Sequence, residues 1–365
     1  MSLQQVIARS WNHNHLLTAL VELTYRCNLD CFYCYNDLSL RGRPLSRGQY
    51  YRLFEELAEL QTLYLILSGG EPLAHPDFFL LGRRARELGF VIKVKSNGHA
   101  LRGALARRLK DEVDPFLVEI SLHGASPASH DRQTRVPGSF ERLMANLPAL
   151  GAMGLRVKLN CTLTAWNEHE VEAMYALADG LGLPLSIEPT VTPRDDGDCE
   201  PLAISASDEG IRRLFRLQFA RAAGRREAGH PEPPRERGCE GEGNSPKQCG
   251  AGSSGIAVDP YGNVFPCVQW RRPLGNLHET SLTEIWTGSG ALQEVRGLTV
   301  QVKALVTRQG DGAQAMAYCT GLAELSTGRP VGVYPAASRR LRLYREAWEQ
   351  FRREATRPPA PAPAP

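Results

Sequence analysis

Three cysteines stand close together near the start of the chain: Cys27, Cys31 and Cys34, spaced C-x3-C-x2-C. Thiolates at this density ligate metals or exchange disulfides. A [4Fe–4S] cluster ordinarily takes four thiolates, so three leave one iron for a ligand that is not protein. A molecule with both an amine and a carboxylate can chelate that iron. Other chemistries fit the same residues. The i, i+4, i+7 spacing would face one side of a helix, although Asn28, Asp30 and Asn36 argue against a buried one. Zinc would want a fourth Cys or His nearby. Cys31-Phe32-Tyr33-Cys34 alone would serve as a redox dithiol.

A second group lies far downstream. Cys249 and Cys267 bracket Gly262 in the pattern C-x12-G-x4-C. Residues 256–268 read as a hairpin turning at Asp259-Pro260-Tyr261-Gly262-Asn263, which can bring both cysteines to one end. Cys239 and Cys249 fall in a Gly-, Pro- and charge-rich stretch, 224–255, that has little reason to hold two cysteines unless something ties it down.

Elements that can position these residues alternate regularly. Strands are expected at 16–24, 63–67, 90–94, 116–121, 155–163 and 184–188, apolar on both faces as in a helix-covered parallel sheet. Helices are expected at 46–60, 77–88, 101–110, 140–150 and 168–178, with Ser46 capping the first. Six strands alternating with helices imply parallel pairing and right-handed crossovers. Polar motifs follow several strands, at the sheet edge where α/β proteins bind ligands. Further helices are expected at 207–223, from 282, and at 338–354.

Composition narrows the function. A formal charge of +3 over 365 residues makes no electrostatic case for nucleic acid or a membrane surface. No apolar run of about 18 residues occurs, and residues 1–15 lack the apolar core of a signal peptide. A cytoplasmic location is expected. There, nine cysteines point to metal ligation or catalysis rather than a disulfide framework.

Cys27-x3-Cys31-x-Tyr33-Cys34 after the first strand, with Ser68-Gly69-Gly70-Glu71-Pro72 after the second, resembles the signature of the radical S-adenosylmethionine (SAM) superfamily. The resemblance spans residues 16–190 and implies an α/β fold, a partial (β/α)6 barrel. It also implies a [4Fe–4S] cluster on Cys27, Cys31 and Cys34 that chelates SAM and cleaves it to a 5′-deoxyadenosyl radical. By the same resemblance Tyr33 lies near the adenine, and Ser68, Gly69, Gly70, Glu71 and Pro72 form the turn that meets the SAM amino group. Ser96, Asn97 and Ser121 would line the SAM site, Asn160 would contact the ribose, and Glu188 the adenine side. His123 sits where a substrate-facing acid or base can lie, and a structural role suits it equally; Glu119 is equally undecided.

Residues 249–277 resemble the SPASM extension of these enzymes, which usually holds two auxiliary clusters. The later cysteine run C-x2-C-x5-C-x3-C is absent, and only Cys319 remains, before Thr320-Gly321-Leu322-Ala323. The resemblance therefore implies one auxiliary [4Fe–4S] cluster on Cys239, Cys249, Cys267 and Cys319, in a shortened, twitch-like domain. Zinc on the same four thiolates is the competing occupant. Cys161 is expected in the core, and Cys199 has no assigned role.

The expected divisions are an N-terminal extension 1–15, barrel 16–192, linker and helix 193–238, auxiliary domain 239–335, C-terminal helix 336–356 and a disordered Pro/Ala tail 357–365. SPASM-type relatives mostly modify peptides, which implies a peptide or protein side chain as substrate. The alternative is small-molecule or tetrapyrrole (heme-type) biosynthesis. An electron donor such as flavodoxin or ferredoxin is implied. The barrel starts too near Met1 for a separate peptide-recognition domain, so a separate recognition protein is expected for a peptide substrate.

Overall fold

Short strands and amphipathic helices alternate as the sequence pattern requires. The computed structural model describes residues 3–37, 39–224 and 245–355. Strands β1 (Thr18–Thr24), β2 (Tyr64–Gly69), β3 (Val91–Ser96), β4 (Leu117–Ser121), β5 (Val157–Thr162) and β6 (Leu185–Glu188) pair in parallel and in sequential order. After a short helix α1 (Leu3–His13), the crossovers carry α2 (Arg47–Glu59), α3 (Phe78–Glu87), α4 (Gly103–Arg108), α5 (Pro127–Thr134), α6 (Ser139–Ala152) and α7 (Val171–Gly180). Helix α2 starts where the sequence places it. The Ser46 side chain accepts from the Gln49 backbone, and the Gln49 side chain reaches back, closing a capping box.

One expectation about the strands is corrected. Strands β3, β4 and β5 are not apolar on both faces, whereas β1 and β2 also place Leu20 and Ile66 in a small apolar cluster on the opposite face. Ile92, Val94, Val118, Ile120, Val157 and Leu159 enter the helix-covered core. Their neighbours Lys93, Lys95, Glu119, Ser121, Lys158, Asn160 and Thr162 are only partly buried. The period of two puts all seven on the opposite face of the sheet. At β3, β4 and β5 helices cover the apolar face, and the half-buried polar side chains line the inside of the partial barrel.

Beyond β6 the chain forms α8 (Asp208–Ala223), then β7 (Gly255–Val258), β8 (Asn263–Phe265) and β9 (Gly275–Asn276). Strand β7 pairs in parallel with β1, so the expected hairpin extends the barrel sheet. The order is β6-β5-β4-β3-β2-β1-β7-β8-β9. Then follow α9 (Leu282–Gly288), α10 (Gly290–Thr307), α11 (Thr320–Thr327) and α12 (Pro335–Ala355). Among the described residues no helix is long and apolar enough to cross a membrane. Cys239 and the tail 357–365 lie outside the described residues.

Helices α8 and α12 share a second apolar cluster, which also takes Cys161, 4% exposed, as the sequence suggests. Its aromatic centre is Phe219, whose ring stands 5.1 Å from both Tyr344 and Trp348. Truncating a buried Phe costs about 3–5 kcal/mol. A Phe219→Ala variant is expected to lose that much unfolding free energy in urea titrations.

Candidate active site

Strand β1 ends at Thr24 and hands the chain to an irregular loop carrying Cys27, Cys31 and Cys34. Backbone contacts hold this loop on two sides. On one, Gly70 N donates to Thr24 O (2.7 Å) and Glu71 N to Arg26 O (2.9 Å). The approach is so close that a Cβ on Gly69 would lie 2.3 Å from Thr24 O, and one on Gly70 2.6 Å from Arg26 O. Gly69 also has φ +128°, which side chains rarely adopt. On the other side, Asp30 N and Phe32 N donate to Thr134 O and Gln133 O at the end of α5 (3.1 and 3.0 Å). Asn36, 2% exposed, donates through its side chain to Gly69 O (3.3 Å).

Hydrogen bonds and burial act in opposite directions on the thiols. Cys27 Sγ accepts from Leu29 N (3.4 Å) and from Asn97 Nδ2 (3.8 Å). Such N–H···S bonds favour thiolate and tune iron–sulfur centres. Burial pushes the thiols up, to about 12 for Cys31 and about 11 for Cys34, so metal binding must release their protons. Among the described residues, no three Cys, His, Asp or Glu side chains gather as ligands of a single metal ion. Cys27, Cys31 and Cys34 are free thiols carried on one clamped loop, the donor set that a three-cysteine iron–sulfur site needs.

Glu71 ties the ends of β2 and β3 together. It is 2% exposed and accepts from Ser96 Oγ (3.0 Å), Asn97 N (2.8 Å) and Leu73 N (3.2 Å). Pro72 opens the following 3₁₀ turn, and Ser68 is buried at the end of β2. Asn97 in turn donates to Asn28 Oδ1 (2.7 Å), which carries the link back to the cysteine loop. The structure thus joins Glu71, Ser96 and Asn97 in one cluster beside the cysteine loop, with Asn97 reaching Cys27 and the Gly69–Gly70 turn reaching Thr24 and Arg26.

Tyr33 and His123 meet directly. Their rings stand 4.6 Å apart between centroids, and the phenol oxygen contacts Nε2. His123 is 4% exposed; burial, then His130, holds its imidazole well below the ordinary His range. A neutral ring can accept the phenol proton at Nε2. Nδ1 has no partner among the described residues. Ser121 and Asn160 are register partners on the inward face of β4 and β5. Glu188, in register with Thr162, pairs with Arg340 of α12 at 2.6 Å.

The second cysteine group also converges. Gly252 N donates to Pro266 O (3.1 Å), joining the turn after Cys249 to the residue before Cys267. A Cβ on Gly321 would lie 2.1 Å from Gln269 O, so helix α11, which follows Cys319, packs onto the chain leaving Cys267. Three described cysteines therefore sit on touching segments. The fourth, Cys239, lies outside the described residues.

Sequence reasoning missed several supports. Arg271, four residues past Cys267, pairs with buried Glu22 on β1 (2.9 Å) and with Asp195 (2.9 Å). Asp195 N donates to Tyr35 O (2.8 Å), one residue past Cys34. Helix α5, whose end grips the cysteine loop, is short and polar; its signal was Ser126 as N-cap with Pro127 at the first position.

Two outcomes test this geometry. Gly70→Ala must displace the Arg26 carbonyl, so anaerobic reconstitution should load the iron of one cluster fewer than in the wild type. Glu71 gives a pH signature. Burial pushes its carboxyl from 4.5 up to about 7, against the hydrogen bonds that lower it. The folded state then binds the proton more tightly than the unfolded chain. The resulting stability is fully present below about pH 4.5 and lost as pH rises through about 7. Urea titrations of the metal-free protein across that window should show the fall, and Glu71→Gln should remove its share.

The geometry agrees with the comparisons. The family model of the radical SAM superfamily matches residues 21–178, and that of an iron–sulfur cluster-binding domain, SPASM, matches residues 249–320. The chain is 31% identical to a PqqA peptide cyclase of Ruegeria pomeroyi, over 77% of this chain and 76% of that protein. It is 27% identical to an AdoMet-dependent heme synthase of Methanosarcina barkeri, over 75% and 83%. In structure it resembles anSMEcpe with bound AdoMet and Kp18Cys peptide, with TM-score 0.67, 16% identity and coverage of 93% and 96%. The chain belongs to the radical SAM superfamily, among the enzymes that carry a C-terminal SPASM iron–sulfur domain.

Proposed function

We propose that this radical SAM enzyme modifies a peptide or protein side chain, with Cys27, Cys31 and Cys34 holding the cluster that chelates SAM. The supporting observation is spatial. The three thiols, the Glu71–Ser96–Asn97 cluster and the inward pair Ser121 and Asn160 share the C-terminal edge of one sheet. That edge opens onto the uncovered inner face, where a substrate C–H can be placed. The reduced cluster with bound SAM supplies a 5′-deoxyadenosyl radical.

The chain's own residues bind and orient. Gly69 and Gly70 give backbone groups close access to the SAM amino end, with Ser68 and Pro72 fixing the turn. Glu71 orients Asn97 and Ser96 and offers its carboxylate to an ammonium nearby. Tyr33 lies at the adenine side, held by the neutral His123, which acts as a positioning residue. Asn160 offers its amide to the ribose, and Glu188 with Arg340 borders the site at β6. Cys239, Cys249, Cys267 and Cys319 hold one auxiliary cluster whose iron is fully ligated by protein, which suits it to pass electrons. A cytoplasmic flavodoxin or ferredoxin is the electron donor, and a separate protein presents the peptide.

Relation to a peptide cyclase supports the peptide reading. Chemistry on a tetrapyrrole or other small molecule is the second reading, supported by relation to the heme synthase. The test uses reduced, reconstituted enzyme, SAM and deuterated short peptides encoded beside its gene. Deuterium in 5′-deoxyadenosine, with a mass change in the peptide, is the expected result. Deuterium arriving from a tetrapyrrole and never from a peptide would overturn the reading. The triple variant Cys27→Ala, Cys31→Ala, Cys34→Ala should form no 5′-deoxyadenosine.

A further inference from the structure

The inner face of the sheet carries an unbalanced set of charges. Lys95 on β3 stands in register with Glu119 on β4, and Glu119 with Lys158 on β5. Lys93 lies one inward position earlier on β3. Lys95 Nζ is 2.6 Å from Glu119 Oε2. Lys93 Nζ lies 4.8 Å over the Tyr64 ring, a cation–π contact. Among the described residues neither Lys93 nor Lys158 is within ion-pair distance of a carboxylate. Burial raises the Glu119 carboxyl, yet the attraction of Lys95, Lys158 and Lys93 outweighs it and leaves it low. All three lysines are therefore within electrostatic reach of one carboxylate.

Three cations against one anion leave an excess of two on this face. The nearby acids are already committed. Glu188 is taken by Arg340, and Glu22 and Asp195 share Arg271. The positive ladder sits directly beneath the SAM-lining positions. Glu119 and Lys158 precede the Ser121–Asn160 pair by two residues, about 7 Å along the strands. A group of that length running down this face from Ser121 and Asn160 spans the distance to the lysines.

We propose that Lys93 and Lys158, with the Lys95–Glu119 pair fixing the spacing, form a subsite for carboxylate groups of the substrate. The substrate is thus an acid, bearing one or two carboxylates within reach of the carbon that loses hydrogen. Acidic side chains of a peptide and the carboxylates of a small molecule share this chemistry. The proposal rests on the reading that substrate enters along this inner face.

The test measures binding of succinate and of its neutral diamide to the reconstituted, SAM-loaded enzyme by calorimetry. Succinate should bind at least about tenfold tighter than the diamide, as charge-assisted contacts require. Lys93→Gln and Lys158→Gln should each weaken succinate about tenfold, and the double variant further. Lys110→Gln, on the outer surface beside Asp114, should leave it unchanged. SAM affinity, measured in parallel, checks that each variant is folded. Equal binding of the two probes overturns the assignment, as does a double variant that binds succinate like the wild type. Absence of succinate binding up to about 10 mM overturns it too. Lysine-dependent succinate binding supports the subsite whether or not a peptide is ever modified. A peptide processed with equal kcat/KM by the double variant overturns the subsite and leaves the peptide reading standing.

Discussion

The site depends on one backbone contact, the approach of the Gly69–Gly70 turn to Thr24–Arg26. It is made of two hydrogen bonds and a separation that no side chain permits. The consequence is mutual. The turn after β2 fixes where the cysteine loop leaves β1, and the loop fixes the turn's unusual backbone. Glu71 extends the constraint to β3 by accepting from Ser96 and Asn97, and Asn97 returns it to Cys27. Three hydrogen bonds to the buried Glu71 carboxyl, from Leu73, Ser96 and Asn97, make that arrangement cooperative, since losing one partner leaves others unsatisfied. The end of α5 grips the loop from the opposite side. Three thiols on a loop with no regular structure are thereby held in place by elements that are regular.

One sheet also joins the two cysteine groups. Strand β7 lies beside β1, so the hairpin that leads to Cys267 grows from the barrel's own edge. Arg271 closes the circuit by returning from the chain past Cys267 to Glu22 on β1 and to Asp195. Glu22 has no exposed surface, and an unpaired charge there would carry a large desolvation cost. The pairing therefore fixes the auxiliary segment relative to the strand that feeds the first cysteine loop. A fixed separation is what electron exchange between two centres requires.

Local signals were the legible part. Ser46 and Ser207 cap helices where the sequence puts them, and the six apolar runs became six parallel strands. The three-cysteine spacing and the Gly-Gly-Glu-Pro turn were readable because each is a short contiguous motif. What escaped depends on tertiary geometry. Lys93, Lys95 and Lys158 alternate with apolar residues, yet only the placement of the helices shows which face they occupy. The partners of Glu71 come from β3, and those of Glu188 from α12, some 150 residues away. Helix α10 follows α9 across a single residue, Ser289, which caps it; no sequence gap separates the two. Helix α1, within the stretch expected as a plain extension, is anchored by Trp11, whose backbone carbonyl accepts from Lys247 (2.6 Å).

Electron paramagnetic resonance of the reduced, reconstituted enzyme, recorded with and without SAM, decides whether Cys27, Cys31 and Cys34 hold the open cluster. A cluster signal that changes shape when SAM is added is expected. In the triple variant Cys27→Ala, Cys31→Ala, Cys34→Ala that SAM-responsive signal should vanish while an auxiliary signal persists. A SAM-responsive signal that survives in the triple variant would contradict the assignment of the open cluster to these three cysteines.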